Sequence, residues 1–119
     1  MAPWVAMLPG GARFVSASHD HTVKLWTLDG ALERTFTVGT PVLRVAAMPD
    51  DVHFVVGLGG GGPGSGEVRL YHVDGSLVHA FKGDKRDEVT TVTVTPDGKH
   101  IISGACNSRV KVWNVARKS

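Results

Sequence analysis

The side chains best equipped for chemistry in this 119-residue chain are His19, Asp20 and His21, two imidazoles flanking one carboxylate. Zinc accepts imidazole nitrogen and carboxylate oxygen, so the triplet could begin a metal site. A zinc site needs donors that converge, and His53, His72, His79 and His100 are scattered on or beside apolar runs without ligand spacing. The favoured reading makes Asp20 a turn residue between two exposed loop histidines. Ser103 and Cys106 are of nucleophile type, but no base is suggested for either, and no paired carboxylates or triad stand out. Gly57–Gly66 invites a phosphate-loop reading, yet it lacks the Gly-Lys-Ser/Thr ending. A strand, Glu67–Tyr71, follows it, so no helix N-terminus is offered to an anion. A flexible loop lengthened between two strands is expected instead. Lys82, Lys85 and Arg86 are interleaved with Asp84, Asp87 and Glu88, the mixture of a solvated loop. The sequence therefore predicts no catalytic residue, no metal and no cofactor.

Composition narrows the partners. A net charge of +2 is too small for the concentrated basic face that nucleic acid or an anionic membrane requires, so neither is expected. The single cysteine, Cys106, permits no internal disulfide and suits a reducing compartment. The start, Met1-Ala2-Pro3-Trp4, has no basic segment followed by an apolar core, and no apolar run is long enough to span a bilayer. An intracellular protein, cytoplasmic or nuclear, is the expectation.

The elements that carry these residues repeat. Pro9, Pro49 and Pro96 each precede a turn, and Phe14, Phe54 and Ile101 follow five positions later. Trp26, Tyr71 and Trp113 then close a third apolar run, at 17, 22 and 17 residues from the proline. The middle copy carries its excess in Gly57–Gly66, outside which the three keep one register. Within each copy, runs such as Val23-Lys24-Leu25-Trp26 and Thr90-Thr91-Val92-Thr93-Val94 alternate with the period of two that marks a strand. First strands are predicted at Trp4–Leu8, Val42–Met48 and Val89–Thr95, and fourth strands at Ala31–Thr37 and Ser76–Lys82, with Phe36 and Phe81 in matching places. Pro96-Asp97-Gly98, Asp29-Gly30 and Asp74-Gly75 are turns with a mechanism, because proline fixes φ and glycine accepts a positive one. No segment sustains a helical period, so the chain reads as all-β, in four-stranded antiparallel units.

These copies resemble the WD-repeat (WD40-type) family of β-propellers. Ser16-Ala17-Ser18-His19-Asp20-His21-Thr22-Val23-Lys24-Leu25-Trp26 follows the family pattern closely. The third copy, Ser103 to Trp113, places Asn107 where the aspartate belongs, and the second keeps Val68-Arg69-Leu70-Tyr71 but has Ser65 there. The resemblance implies a partial propeller of about three blades, near residues 3–37, 41–82 and 88–115, within one domain. It assigns Ser16, Asp20, Trp26, Tyr71, Ser103, Asn107 and Trp113 to a structural network. The Gly-His pair that usually completes this network is absent, since Gly39 precedes Thr40 and Gly83 precedes Asp84. Each net hydrogen bond so lost costs about 0.5–1.5 kcal/mol.

The third copy lacks residues for a fourth strand, and three blades cannot curve into a ring of the usual four to eight. The end faces would then expose apolar side chains. Closure by self-association is expected, a dimer giving six blades or another multiple of three. The alternatives are a fragment of a longer WD-repeat protein, or an enzyme or metal-binding propeller using His19, Asp20 and His21. By resemblance the function is protein–protein interaction as a scaffold, through a loop rim that would hold His19, His21, Arg44, Lys85, Arg86 and Asn107, with partners the sequence does not name.

Overall fold

The strands follow from short β-forming runs punctuated by turn formers, some alternating apolar and polar residues, as Val23-Lys24-Leu25-Trp26 does, and others apolar nearly throughout, as Phe54–Leu58 is. In the computed structural model, which describes residues 4–17, 20–60, 62, 64–84, 86, 88–106 and 108–115, these runs form three antiparallel sheets. The first contains β1 (Trp4–Met7), β2 (Arg13–Ala17), β3 (Thr22–Thr27) and β4 (Leu32–Thr37) in that order. The second contains β5 (Val42–Ala47), β6 (His53–Leu58), β7 (Val68–His72) and β8 (Leu77–Phe81). The third contains β9 (Val89–Val94), β10 (His100–Ala105) and β11 (Val110–Asn114), and among the described residues it has no fourth strand. The fold is thus all-β, a partial propeller of two full blades and one incomplete blade.

The first strands stop one residue short of their predicted ends for a shared reason. Leu8, Met48 and Thr95 instead close the turn, their N–H groups donating to the carbonyls of Arg13, His53 and His100 at 3.0 Å each. The third residue of that turn has positive φ in every blade, at Gly11, Asp51 and Gly98. Asp51 (φ 66°) tolerates a conformation that its counterparts leave to glycine. Its carboxylate accepts the Gly10 N–H at 2.8 Å, which ties the turn of blade two to that of blade one.

Stacking of the sheets makes two cores, and alternation in the middle blade feeds both. Phe54, Val56, Leu58 and Tyr71 join Val15, Val23, Leu25 and Phe36 between blades one and two. Their neighbours in sequence, Val55, Val68 and Leu70, point the other way and join Phe81, Val89 and Ile101 between blades two and three. Phe36 sits edge-on to Phe54 (5.0 Å between centroids) and Tyr71 (5.9 Å), the arrangement that ring quadrupoles favour. Gly57 is buried against the next blade, where an added Cβ would meet the Val89 side chain at 2.3 Å. A β-carbon there would force the blades apart.

Turn aspartates hold the loops at the strand ends. Asp29 is drawn below the usual carboxylate range by hydrogen bonds from Thr27 and the Ala31 N–H, and Asp97 by the Lys99 N–H and Thr95. Ser76 does the same for Asp74, and Arg86 takes Asp84 down to about 2. At Asp50 burial pushes upward, but His53 and the Val52 N–H outweigh it. All five have folded-state pKa values below the unfolded ones, so their stabilisation is present above the ordinary carboxylate range and lost as pH falls through it. The thermal midpoint is expected to hold from about pH 7 to 5 and then drop steadily toward pH 2. Asparagine at Asp29, Asp74 and Asp97 together should flatten that drop, and an unchanged acid profile would contradict the assignment.

Candidate functional site

The aromatic residue one position before the end of each third strand packs on the preceding blade at Tyr71 and Trp113 and lies on the open face of blade one at Trp26. Its polar edge decides what stands beside it. The indole N–H of Trp26 donates to the Ser16 hydroxyl at 3.0 Å, and that of Trp113 to Ser103 at 2.9 Å. Blade two has Tyr71, which carries no indole N–H, and the position matching the two serines is Val56, fully buried. The two substitutions compensate one another. Among the described residues no buried side-chain nitrogen or oxygen lacks a hydrogen-bond partner.

A basic residue sits two positions before each aromatic, at Lys24, Arg69 and Lys111. Lys24 lies 4.0 Å from Asp20, whose carboxylate also accepts the Thr22 hydroxyl at 2.5 Å. Blade two has Ser65 in place of that aspartate, and the partner of its basic residue is Glu67, with Arg69 Nε donating to Oε1 at 2.9 Å. Arg69 also reaches the Val38 carbonyl of the linker from blade one at 3.2 Å. Burial opposes the charge on Arg69, but hydrogen bonds to Glu67 and Tyr71 outweigh it and raise its pKa above the ordinary value. In blade three Lys111 lies over the Trp113 ring at 5.6 Å. Sequence reasoning missed the Glu67–Arg69 pair, although Glu67, Arg69 and Tyr71 alternate onto one strand face and that spacing was the available signal.

The glycine-rich insertion lies between β6 and β7, the second and third strands of its sheet, and its described residues make specific contacts. Gly57 and Leu58 belong to β6, and Leu58 exchanges hydrogen bonds with Glu67 and Gly66 at 3.0 Å each. Beyond them, Gly59 N–H donates to the Pro41 carbonyl at 3.1 Å and Gly60 N–H to Glu88 Oε2 at 2.6 Å. Close approach explains the composition: a Cβ on Gly60 would meet Pro41 at 2.6 Å, and one on Gly64 would meet the Thr40 hydroxyl at 2.8 Å. Close backbone packing is what Gly59, Gly60 and Gly64 supply, whereas Gly62 has open space around it.

Of the residues assigned to the rim, His21, Arg44 and Arg86 are among those described. His21 is exposed with φ 65°, in the left-handed conformation that Gly66 and Ser108 adopt at the matching positions. Arg86 is exposed and paired with Asp84 at 3.1 Å. Arg44 lies within β5, its guanidinium 3.9 Å from the centroid of the Trp4 ring. His19, Lys85 and Asn107 lie outside the described residues. Cys106 is exposed in a turn, its sulfur 3.8 Å from the Arg86 carbonyl. Among the described residues no group of three or more His, Cys, Asp and Glu side chains could hold a metal ion.

The largest departure from ordinary packing lies at the two ends of the stack. Val23 and Val68 are 0% exposed, whereas Val110 at the same position of blade three is 70% exposed. Leu25 and Leu70 are 2% and 3% exposed, against 64% for the matching Val112. The opposite end, the face of blade one that bears Trp26, carries half-exposed Val5 and Met7 beside a stacked Phe14–Trp26 pair.

Sheets of this kind, stacked face to face with one aromatic per blade at the same strand position, define an arc of β-propeller repeats. The family profile described as "WD domain, G-beta repeat" matches residues 4–27 and 75–114. The chain belongs to this WD40 family. It is 28% identical over 119 residues to a WD repeat-containing protein WDS homolog of Arabidopsis thaliana, covering 97% of this chain and 22% of that protein. It is 30% identical over 117 residues to WD repeat-containing protein 18 of Homo sapiens, covering 90% of this chain and 27% of that protein. The fission yeast Schizosaccharomyces pombe has a target of rapamycin complex subunit, wat1, that is 29% identical over 110 residues (88% of this chain, 33% of that protein). The chain spans between about a fifth and a third of the length of these relatives.

Removing the acceptor from one indole tests the pairing directly. Ser103→Ala leaves the Trp113 N–H without its acceptor in a partly buried position and should destabilise the protein by about 1 kcal/mol in urea titrations. Trp113→Phe in the Ser103→Ala background should then cost less than Trp113→Phe alone. Strict additivity of the two changes would show that the bond contributes nothing.

Proposed function

We propose that this chain is a non-catalytic protein–protein interaction module of the cytoplasm or nucleus that completes its propeller by self-association. Two copies would stack to give six blades, or another number of copies would give a larger multiple of three. One observation carries this reading: the positions that are sealed in blades one and two stand open in blade three, and blade one opens the complementary face. Each end therefore presents what the other end is shaped to cover. The contact is heterologous, so a closed ring requires the rotation per blade to return the stack to its start. The rim loops then form the surface offered to other proteins, with His21, Arg44, Lys85 and Arg86 as polar contacts and His19 and Asn107 beside them. Loops held by a rigid scaffold are the usual place for recognition. The absence of disulfide chemistry fits the compartment.

The length of the relatives supports a second reading, in which the same end faces stack on further WD blades of a longer polypeptide. Both readings place a WD blade against each open face. They part on the mass of the 119-residue chain in solution. Ring closure by copies predicts a species of about twice the 12.6 kDa chain mass, or another whole multiple of it, by light scattering. Glutamate at both Val110 and Val112 should return it to the single-chain mass. A monodisperse monomer of the unmodified chain would overturn self-association. The rim is tested separately: alanine at Arg44, Lys85 and Arg86 together should weaken capture of a protein partner by about tenfold or more. Unchanged capture would overturn the rim assignment and leave the fold untouched.

A further inference from the structure

The first strands of the three blades adjoin one another, β1 beside β5 and β5 beside β9, so they form the inner edge of the arc. Trp4, Arg44 and Thr91 hold the same place on these strands, five residues before Pro9, Pro49 and Pro96. Across the ladder they meet Ala17, Gly57 and Gly104, so no large second-strand side chain stands beside the row. Gly57 abuts Val89 of blade three, yet the Arg44 guanidinium lies 3.9 Å from the centroid of the Trp4 ring of blade one. A register shift between Val42 and Arg44 leaves Leu43 out of the ladder, and a bulge of this kind re-aims the neighbouring side chain. The inner strands read Trp-Val-Ala-Met, Val-Leu-Arg-Val-Ala-Ala and Val-Thr-Thr-Val-Thr-Val, so Arg44 is their one charged residue. Its Nη1 donates to the Leu43 carbonyl at 2.9 Å, and among the described residues no carboxylate pairs with it. Nearby acids are engaged elsewhere: Glu88 accepts the Gly60 N–H at 2.6 Å, Glu67 holds Arg69 and Asp20 holds Lys24. Arg44 belongs to the middle blade, with both of its blade junctions formed.

We propose that Arg44 and Trp4 form a site on the inner edge for the carboxylate of an aspartate or glutamate carried by an extended segment of a partner protein. The proposal rests on the interaction-module reading and gives that module a ligand chemistry. A guanidinium presents its N–H donors in a planar fork that a carboxylate meets bidentately. Only Nη1 of Arg44 has an acceptor, Leu43, among the described residues. The Trp4 ring attracts the guanidinium through its π face, so the fork is oriented before the ligand arrives. Exposed Thr91, the matching residue of blade three, adds a hydroxyl to the same row. Charge selects the ligand. A single cation balances one carboxylate and leaves most of the charge of a phosphate dianion uncompensated. The site lies on the first strands and not on the end faces, so it stands whether or not copies of the chain close a ring.

The probe is a capped peptide, acetyl-Gly-Ser-Leu-Glu-Leu-Ser-Gly-amide, with glutamine or phosphoserine in place of the glutamate in two companions. Each is titrated into the isotope-labelled 119-residue protein and followed by NMR at the backbone amides of β1 and β5. The glutamate peptide should saturate these shifts and bind about tenfold more tightly than the glutamine peptide. The phosphoserine peptide should bind no more tightly than the glutamate one. Arg44→Gln should erase the difference between glutamate and glutamine, and Trp4→Leu should weaken the glutamate peptide about two- to fivefold. The glutamate–glutamine comparison needs no change to the protein, so it decides the matter even where a variant does not fold. No binding, equal affinity for those two peptides, or tighter binding of phosphoserine would overturn the proposal. So would shifts that bypass β1 and β5, or undiminished binding to a folded Arg44→Gln or Trp4→Leu protein. None of these results touches the interaction-module reading, which is judged by capture of a protein partner.

Discussion

Everything in this molecule depends on one constraint: each sheet is apolar on both faces, and neither face can be sealed by its own blade. The middle blade shows the consequence most clearly. Along β6, Phe54 and Val56 go to one core and Val55 to the other, all at 0% exposure, so a single strand is shared between two interfaces. Stability in such a stack is a property of the junctions between blades more than of the blades themselves. The polar devices also sit at the junctions. Asp51 reaches from blade two to Gly10 of blade one, and Arg69 reaches back to the Val38 carbonyl.

The same constraint explains why the second repeat is free to depart from the pattern of the other two. What the junction requires is a filled volume with its donors paired, not a particular side chain. Trp with Ser meets that requirement where blade three meets blade two, and Tyr with Val meets it where blade two meets blade one. The acid that neutralises the basic strand residue moves from Asp20 to Glu67, four positions before the aromatic instead of six, without leaving its side of the junction. The two profile matches flank residues 28–74, the stretch that contains these departures together with the glycine insertion. Divergence there is chemical re-balancing within a conserved shape.

The repeat, the strand alternation and the turns were legible in the sequence because each depends on neighbours within a few residues. Pro96-Asp97-Gly98 dictates its turn locally, and Val23-Lys24-Leu25-Trp26 dictates its strand. The glycine run was legible only as a composition, and composition alone suggests freedom. Its restraint comes from Pro41, Thr40 and Glu88, which are distant in sequence and approach only after the sheets stack. The packing of Arg44 over Trp4 was not legible either, because it depends on β1 lying against β5. Pairings that cross a junction are set by the rotation between blades, which no single repeat encodes.

That division bears on how function attaches to this fold. The side chains with the most reactive types, His21, Cys106 and the carboxylate of Asp20, occupy turns whose geometry the repeat already prescribes. Position 21 is left-handed because the turn before the third strand is left-handed in all three blades, whatever residue stands there. A histidine at such a site is carried by the scaffold and does not organise it, so its chemistry is available to a binding partner without cost to the core. The junction residues have the opposite character. Trp113, Ser103 and Ile101 cannot change one at a time without disturbing the packing of blade three on blade two. Variation is therefore cheap on the rim and expensive in the stack, which is the physical basis for reading the loops as the surface that meets other proteins and the blade faces as the surface that meets other blades.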